Sequence, residues 1–490
     1  MAEEEQRRAG MRTRGMTRRH ILGYGSAVVA GAMAHQARAL ATLSVRSAPP
    51  PVALTGRVIW PRDPAYEEAR QSFNARFSRF PAAIVVCDNT NDVGNAVRWA
   101  RQERMPLRAR SGGHSYEAFS VVDGGLVIDV GGLNQIDVDV SRGEAVIGAG
   151  VRLLDCYRRL WNHGVIIPAG TCPGVGIAGL TLGGGIGFLS RQYGLSCDNL
   201  AAVELVDADS GVLRASEESH PDLFWALRGG GGGNFGIATT FTFRVHPIDD
   251  VVTCTVTWPW DDAAEVLDAW QRWAPFVDER LCVTLAIAHP SAGTISATGL
   301  FTGSAVELPS LLEPLLRAGT PGAPQIQSLP FLTAAEQFGG PPIASVRFKN
   351  ASSLAYDPLP TAGIATLVEH LRAAPFASDL VGFFPLAGAI ATIDPAATAF
   401  VHRRALFDLQ YQAYWWDDSA ALASIAWVRD LRAAMAPYTT GAYVNYVDAD
   451  LLDWESVYYG PNLARLTQIK AQYDPDGVFD APQSIPSSLH

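Results

Sequence analysis

The sequence contains few cysteines, almost no lysine and few long hydrophobic runs. Its six cysteines include no Cys-x-x-Cys pair, which argues against a disulfide scaffold and a zinc ribbon, and no metal site is predicted. The formal net charge of −11 argues against a nucleic-acid binder that works by neutralising phosphates. Outside the N-terminus no apolar run reaches the ~18 residues that a membrane span needs. These absences leave an acidic globular protein.

Length and composition predict more than one folded domain. The chain has 490 residues, of which 48% are hydrophobic, so it can bury a sizeable core. Domains commonly contain ~100–200 residues, which favours two or three of them here. The 46 glycines and 31 prolines are close to average usage and exclude a collagen or a disordered tract.

Residues 1–39 have the pattern of an export signal. A basic segment ends in Arg18-Arg19, a moderately hydrophobic run covers residues 21–34, and residues 37–39 fit a small-residue cleavage site. The segment around the arginine pair resembles the twin-arginine (Tat) signal, which carries folded proteins. We therefore expect export from the cytoplasm by the Tat machinery. A disordered basic tail is the alternative.

The rest of the chain divides by composition. Residues 40–55 are rich in Ala, Ser and Pro and are typical of a linker. Over residues 56–250 short strands alternate with helices, and the apolar spacing at 93–100 predicts a helix with Asn91 as its N-cap. Over residues 251–446 glycine clusters become rarer and longer strands alternate with helices. This pattern favours a second domain of the α+β class.

Three glycine-rich segments occur in the first of these regions, at 108–115, 170–187 and 228–236, and a strand is expected before the first at 105–107. Successive backbone N–H groups in such a turn form an anion-binding nest suited to a pyrophosphate. Glycine also lets the backbone approach a flat ligand closely. Neither the Rossmann Gly-x-Gly-x-x-Gly fingerprint nor a P-loop is present. One such segment alone is also typical of an ordinary turn, whereas three in one domain, one with a histidine and one with a cysteine, indicate a ligand site.

The motifs at 110–115, 172–176, 183–187 and 443–448 resemble those of the berberine bridge enzyme-like FAD-linked oxidases. The similarity covers essentially all of the chain after residue 56. The resemblance implies an α+β protein with the two-domain vanillyl-alcohol-oxidase-type FAD-binding fold, also called PCMH-type.

The same resemblance implies how the domains are built. Residues 56–250 would form the FAD-binding domain, to which residues 447–490 return. Residues 251–446 would form a substrate-binding domain built on an antiparallel sheet covered by helices.

In members of this family that carry both motif residues, FAD is attached by two bonds, and the resemblance assigns His114 to the 8α carbon and Cys172 to C6. A neutral imidazole can add at the first position, and a thiolate at the second if its pKa is lowered from ~8.5. The alternatives are a hydrogen-bonded loop histidine and a small buried cysteine. The other cysteines are expected in the core, with a disulfide possible. The remaining FAD-binding positions are expected to be Arg110, Ser111, Gly112, Gly113, Ser115, Gly170, Val175, Gly176, Gly179, Gly183, Gly187, Ile237 and Asn445.

The resemblance also implies a catalytic base, Tyr446. A phenol titrates near ~10, so we expect an arginine or a proton relay to activate it. Asp408 and Gln410 alternate on a strand and are expected to face the flavin as further catalytic residues. A buried structural role for Tyr446 is the alternative.

These assignments predict an FAD-dependent oxidase of an alcohol. The substrate would be a sugar or oligosaccharide hydroxyl, or a hydroxyl of a glycosylated or polyketide natural product. Hydride would pass to flavin N5, and oxygen, admitted beside Val175, would reoxidise the flavin and yield hydrogen peroxide. The alternatives are a flavin dehydrogenase with another acceptor, an oxidative cyclase, and a non-catalytic exported flavin-binding protein. Residues 383–389 depart from the Tyr-Gly-Gly triplet of many relatives, so the substrate stays open, as does the oligomeric state.

Overall fold

Two sheets form the N-terminal region. The computed structural model describes residues 52–340 and 345–488, so the predicted signal peptide lies outside the described residues. The first sheet has an antiparallel edge strand and parallel neighbours after it, in the order Arg57–Ile59, Ala83–Val86, Leu126–Asp129 and Leu107–Arg110. The second sheet is antiparallel, in the order Ile136–Asp139, Glu144–Gly148, Ile237–Arg244, Leu200–Val206 and Val212–Ser216. A short ladder pairs Val165–Ile166 with His246–Pro247.

A large antiparallel sheet of seven strands dominates the rest of the molecule. Its strands lie in the order Gln325–Pro330, Asp250–Pro259, Thr294–Phe301, Leu281–Ala288, Leu380–Pro385, Phe407–Trp415 and Arg347–Ala355. The chain therefore has mixed helices and antiparallel sheets, which confirms the predicted α+β class.

Helices pack beside and between these sheets. In chain order they are Tyr66–Ala69, Thr90–Glu103, Leu153–Trp161, Ile177–Leu182, Ser190–Tyr193, Pro221–Ala226, Ala263–Trp273, Leu308–Leu316, Phe331–Gly339, Thr361–Arg372, Ala389–Thr392, Ala421–Met435, Trp454–Tyr459 and Leu463–Tyr473. Ala421–Met435 packs against two strands of the large sheet through a buried stripe that includes Trp427 and Leu431. This is the spacing expected of one helix face.

Two local predictions were wrong. The N-cap of Thr90–Glu103 is Asn89 and not Asn91, because the extended backbone of Asn89 lets its side chain accept a hydrogen bond from the Asp92 N–H. The strand before the first glycine-rich loop is Leu107–Arg110 and not 105–107, since parallel pairing with Leu126–Asp129 extends it to Arg110.

The strand Phe407–Trp415 shows how the large sheet forms both a core and a site wall. Its side chains alternate between the two faces of the sheet, as in any strand. Phe407, Leu409 and Tyr411 are buried on one face, in the core under the helices. Gln410 and Gln412 are half-buried on the other face and line a cavity. This strand therefore faces that cavity with polar groups.

A small hydrophobic core contains Ile59, Ile84 and Val127. Two larger cores hold most of the described residues together. One lies mainly within residues 83–251 and also takes in residues from 442–485, among them Tyr443, Leu466 and Phe479. The other lies between the large sheet and its covering helices, within residues 252–435. The chain thus returns to its first core at its C-terminal end.

Within the described ranges, no helix is long and apolar enough to cross a membrane. The same residues contain no group of histidine, cysteine and acidic side chains arranged to hold a metal ion.

Candidate active site

A cavity of about 640 Å³ lies where the glycine-rich loops meet the large sheet. This size falls within the ~300–1,000 Å³ of typical ligand pockets. Residues 107–116, 170–182 and 231–238 form one side, and the C-terminal segments 443–447 and 479–484 close it. Side chains of the large sheet form the opposite wall. All three glycine-rich segments therefore face one cavity.

The first two glycine-rich loops touch through their backbones. A Cβ at Gly112 would overlap the backbones of Gly174 and Gly176, and a Cβ at Gly176 would overlap the Gly112 backbone and Ser111. Only glycine permits so close an approach. This contact places the loop that bears His114 against the loop that bears Cys172.

His114 is held flat against an aromatic ring. Its imidazole stacks on Phe73 with ring centroids 4.0 Å apart and 18° between the planes. Burial, helped by the charge of Arg152, lowers the pKa of His114 to about 4. The ring is therefore neutral at pH 7, the form in which a nitrogen can act as a nucleophile.

Cys172 lies at the cavity wall. Its side chain is exposed to the cavity, although protein atoms surround it on most sides. This burial raises the pKa of the Cys172 thiol, and a hydrogen bond with Thr171 opposes the rise only in part. The expected lowering of this pKa is therefore absent from the protein alone. The other five cysteines are buried and unpaired, so no disulfide joins the described cysteines.

The polar side chains of the first glycine-rich loop already make hydrogen bonds or ion pairs within the protein. The Arg110 guanidinium pairs with Asp129 at 2.6 Å and donates to the carbonyl of Ala69. The Ser111 hydroxyl donates to the carbonyl of Ala149, and the Ser115 hydroxyl accepts from the backbone of Phe119. These residues line the cavity, and their hydrogen bonds fix the shape of the loop.

The other predicted cofactor positions divide into two groups. Cavity-lining residues among them are Gly112, Gly113, Gly170, Val175, Gly176, Gly179, Ile237 and Asn445. Gly183 and Gly187 do not line the cavity. A Cβ at Gly183 would overlap the amide of Asn445, and a Cβ at Gly187 would overlap the backbone of Ala169. Both positions therefore require glycine for internal packing. Gly183 makes room for the side chain of Asn445, which lines the cavity.

Tyr446 belongs to an aromatic cluster in the cavity wall. It stacks on Tyr116 with centroids 5.4 Å apart and an interplanar angle of 4°, and it meets Tyr443 edge-on at 4.9 Å. Burial is the main cause that raises the pKa of Tyr446 well above its ordinary value, and nearby Tyr116 and Asp408 add to it. No arginine or lysine contributes to this shift, so the described residues do not supply the expected activating cation.

The two strand residues behave differently. Gln410 lines the cavity and donates a 3.0 Å hydrogen bond to the Tyr116 hydroxyl. Asp408 lies on the same strand face but is only 1% exposed and does not line the cavity. Its Oδ1 has no hydrogen-bond partner among the described residues, and burial raises the pKa of its carboxyl well above its ordinary value. Asp408 therefore lies outside the cavity wall but near enough to Tyr446 to help raise its pKa.

The sequence prediction missed several residues of the opposite wall. Gln412 and Tyr414 line the cavity, and the Tyr414 hydroxyl donates to the Gln412 side chain at 2.9 Å. The period of two that selected Gln410 would also have selected both. Tyr116, two residues after His114, was missed because nothing in its local sequence shows the stack with Tyr446.

The cavity suits a flavin dinucleotide. A Cβ at Gly179 would meet no atom within 4 Å, so the missing side chain leaves room for a flat group against the backbone. Ser120 Oγ and Gln483 Oε1 line the cavity, are buried and have no hydrogen-bond partner among the described residues. Buried polar atoms are nearly always hydrogen-bonded, which indicates that a polar ligand satisfies them.

Two family models match this chain. The one described as "FAD binding domain" covers residues 81–216, and the one described as "Berberine and berberine like" covers residues 442–486. Both matched segments contribute to the cavity wall.

Proteins of several organisms match most of the chain. It is 41% identical to the uncharacterized FAD-linked oxidoreductase YgaK of Bacillus subtilis, over 88% of this chain and 97% of that protein. BBE-like 1 of Physcomitrella patens is 33% identical, with a TM-score of 0.85 over 89% of this chain and 98% of that one. A chitooligosaccharide oxidase is 25% identical, with a TM-score of 0.82 over 89% and 98%.

Proposed function

This chain belongs to the berberine bridge enzyme-like family of FAD-linked oxidoreductases, and we propose that it oxidises a hydroxyl group of an uncharged, hydroxyl-rich substrate such as an oligosaccharide or a glycosylated natural product. The observation that carries the proposal is the shared cavity, which Tyr446 and all three glycine-rich loops line. The flavin would be attached through His114 and Cys172, and oxygen would be the electron acceptor.

The chain's own residues would hold the cofactor at the glycine-rich loops. Neutral His114 is positioned by Phe73, and Cys172 lies on the touching loop. Gly179 leaves the backbone open to a flat ring. When bound there, FAD supplies a two-electron acceptor for the carbon that bears the substrate hydroxyl.

Tyr446 would accept the proton of that hydroxyl at its phenolic oxygen. Stacking on Tyr116 fixes the ring, and the Tyr116 hydroxyl is in turn held by Gln410. In the free protein the raised pKa keeps Tyr446 protonated at neutral pH. The active form is therefore the minor phenolate fraction, whose population grows with pH.

The wall contributed by the large sheet favours an uncharged substrate. Its lining residues carry hydroxyl, amide and aromatic groups and no charge, and they are Thr284, Thr298, Phe384, Gln410, Gln412 and Tyr414. Hydroxyls and amides match the donors and acceptors of a sugar. A charged substrate would be desolvated against this wall without a partner, which is costly.

A peroxide-coupled screen of the purified yellow protein tests this proposal. The panel contains mono- and oligosaccharides, glycosides, polyketide alcohols and matched sugar acids, and Tyr446→Phe serves as the control. We expect peroxide with one or more neutral alcohols, little with the matched acids and almost none from Tyr446→Phe. Flavin reduction without peroxide would instead indicate a dehydrogenase. No reduction by any alcohol would contradict the proposal.

A further inference from the structure

Lys349 lies at the centre of a buried group of ions behind the aromatic cluster. Its Nζ lies 2.9 Å from Glu117, 2.5 Å from Asp448 and 3.2 Å from Asp450. Glu117 also pairs with Arg76 at 2.7 Å. Lys349, Glu117 and Asp448 are only 2%, 4% and 3% exposed. None of these groups belongs to the proposed chemistry.

The cluster joins three segments that meet at the proposed base. Glu117 directly follows Tyr116, and Asp448 comes two residues after Tyr446. Lys349 directly follows Phe348, whose ring meets Tyr116 edge-on at 5.1 Å. The ammonium group thus contacts the carboxylates next to both stacked tyrosines.

Buried Asn74 ties the same segments together through their backbones. Its amide donates to the carbonyl of Tyr116 at 2.7 Å and to the carbonyl of Phe348 at 3.0 Å. Phe73, its neighbour, stacks on His114 and contacts Phe348. The region behind the site therefore forms one connected unit from His114 to Tyr446.

Burial of this many charges is poorly explained by stability alone. A buried ion pair loses solvation on a scale that offsets its attraction, and well-packed apolar residues often replace it without loss. What such a pair does fix is geometry. Here the ions join the segment that carries Tyr116 to the segment that carries Tyr446, and so they fix the placement of one tyrosine relative to the other.

We propose that Lys349 is a positioning residue, which holds Tyr116 and Tyr446 in their stack so that the Tyr446 oxygen meets the substrate hydroxyl. This inference rests on the proposed function for its rate measurement. It also has a consequence that needs no substrate. Loss of Lys349 leaves the carboxylates of Glu117 and Asp448 without its positive charge, and this excess negative charge disfavours the Tyr446 phenolate.

The test is a double-mutant cycle of Lys349→Met and Tyr446→Phe on the flavin-loaded protein. Misplacing a reacting group by about 1 Å costs on the order of 10²-fold in rate, so Lys349→Met should slow flavin reduction at saturating substrate by about that factor. Substrate affinity should change little. In the Tyr446→Phe background Lys349→Met should cause no further loss, since residues that act through one another are not additive.

Lys470 provides a matched control, because it is the other lysine of the chain, is 3% exposed and pairs with Asp474. It lies in the C-terminal helix and contacts Asn234 and Phe479 instead of the tyrosines. Lys470→Met tests the loss of a buried lysine in general. Its effect on the rate should multiply with that of Tyr446→Phe.

A second variant tests the inference if Lys349→Met does not fold, and a second measurement tests it if no substrate is found. Glu117→Gln keeps the shape of the side chain and should show the same non-additive pattern more weakly.

The second measurement is the ultraviolet difference spectrum of the Tyr446 phenolate, taken as parent minus Tyr446→Phe. This signal should titrate at higher pH when Lys349 is replaced. The inference would be overturned if the rate losses of Lys349→Met and Tyr446→Phe multiplied in the double variant. It would also be overturned if replacing Lys349 left the phenolate titration unchanged. Failure of every alcohol to reduce the parent would instead count against the proposed function and leave the titration to decide.

Discussion

At the scale of single residues, Tyr446 is the group whose ionisation limits the proposed reaction. Burial, with Tyr116 and Asp408 nearby, raises its pKa well above the ordinary value. A base acts only when unprotonated, so the rate of flavin reduction by substrate should rise with pH to about 10 and beyond. Tyr446→Phe should reduce this rate by a factor of ~10²–10⁴ and abolish its pH dependence. Stopped-flow measurements across pH check this, and a flat parent profile would contradict it.

Cys172 offers a second prediction that depends on ionisation. Because burial raises the pKa of its thiol, little thiolate exists at neutral pH in the free protein. Attachment of FAD through Cys172 alone, in a His114→Ala variant, should therefore accelerate steadily with rising pH. Denaturing gels that record flavin fluorescence over time measure the rate. The double variant with Cys172→Ala should bind no flavin covalently, and covalent flavin in it would show that another residue attaches FAD.

Asp408 gives a prediction about stability. Burial raises the pKa of its carboxyl in the folded protein, so its protonated form is favoured there and its contribution to stability is lost as pH rises. Asp408→Asn removes the titration and keeps the shape. The melting temperature of the variant should exceed that of the parent at pH 8, and the difference should shrink towards pH 4. An equal difference at both pH values would mean that Asp408 is not a buried neutral acid.

At the scale of elements, the contact between the first two glycine-rich loops sets the site. Gly176→Ala should push these loops apart, because its Cβ would overlap the backbone of Gly112. Overpacking of this kind typically costs about 1–3 kcal/mol, so we expect a lower melting temperature and loss of bound flavin. Gly94→Ala is the control, since its helical Cβ meets nothing closer than 3.4 Å. Full flavin content in Gly176→Ala would show that the contact is dispensable.

Local periodicity was enough to predict several elements from the sequence. The apolar spacing at 93–100 predicted a helix, and these residues lie within Thr90–Glu103, because such spacing is local information. The displaced N-cap was not predictable in this way, since Asn89 and Asn91 have the same chemistry and only the backbone conformation distinguishes them.

The site was predictable only where a motif is contiguous in the chain. His114 and Cys172 lie in such motifs, and both line the cavity. The stack of Tyr116 on Tyr446 joins residues 330 positions apart, and only the tertiary fold brings them together. The same limit applies to the expected cation beside Tyr446, which residues 52–340 and 345–488 do not provide.

At the scale of the whole molecule, we propose export in the folded state through the Tat route. The predicted signal lies outside the described residues, and Arg18-Arg19 carries the prediction. Replacing both arginines with lysine should leave flavin-loaded protein in the cytoplasm, because Tat recognition needs the arginine pair. Fractionation with a flavin fluorescence assay measures this. Undiminished secretion of the double variant would rule the route out.

The return of the C-terminal segment to the first core also sets an order of events during synthesis. Residues 443–447 and 479–484 close a cavity whose glycine-rich loops leave the ribosome more than 200 residues earlier. The nascent chain therefore exposes those loops without their cover while at least 200 further residues are synthesised. The cavity is complete only when nearly the whole chain has been released. Cofactor loading must accordingly follow translation, and a ribosome that stops near residue 440 yields a chain with an open site.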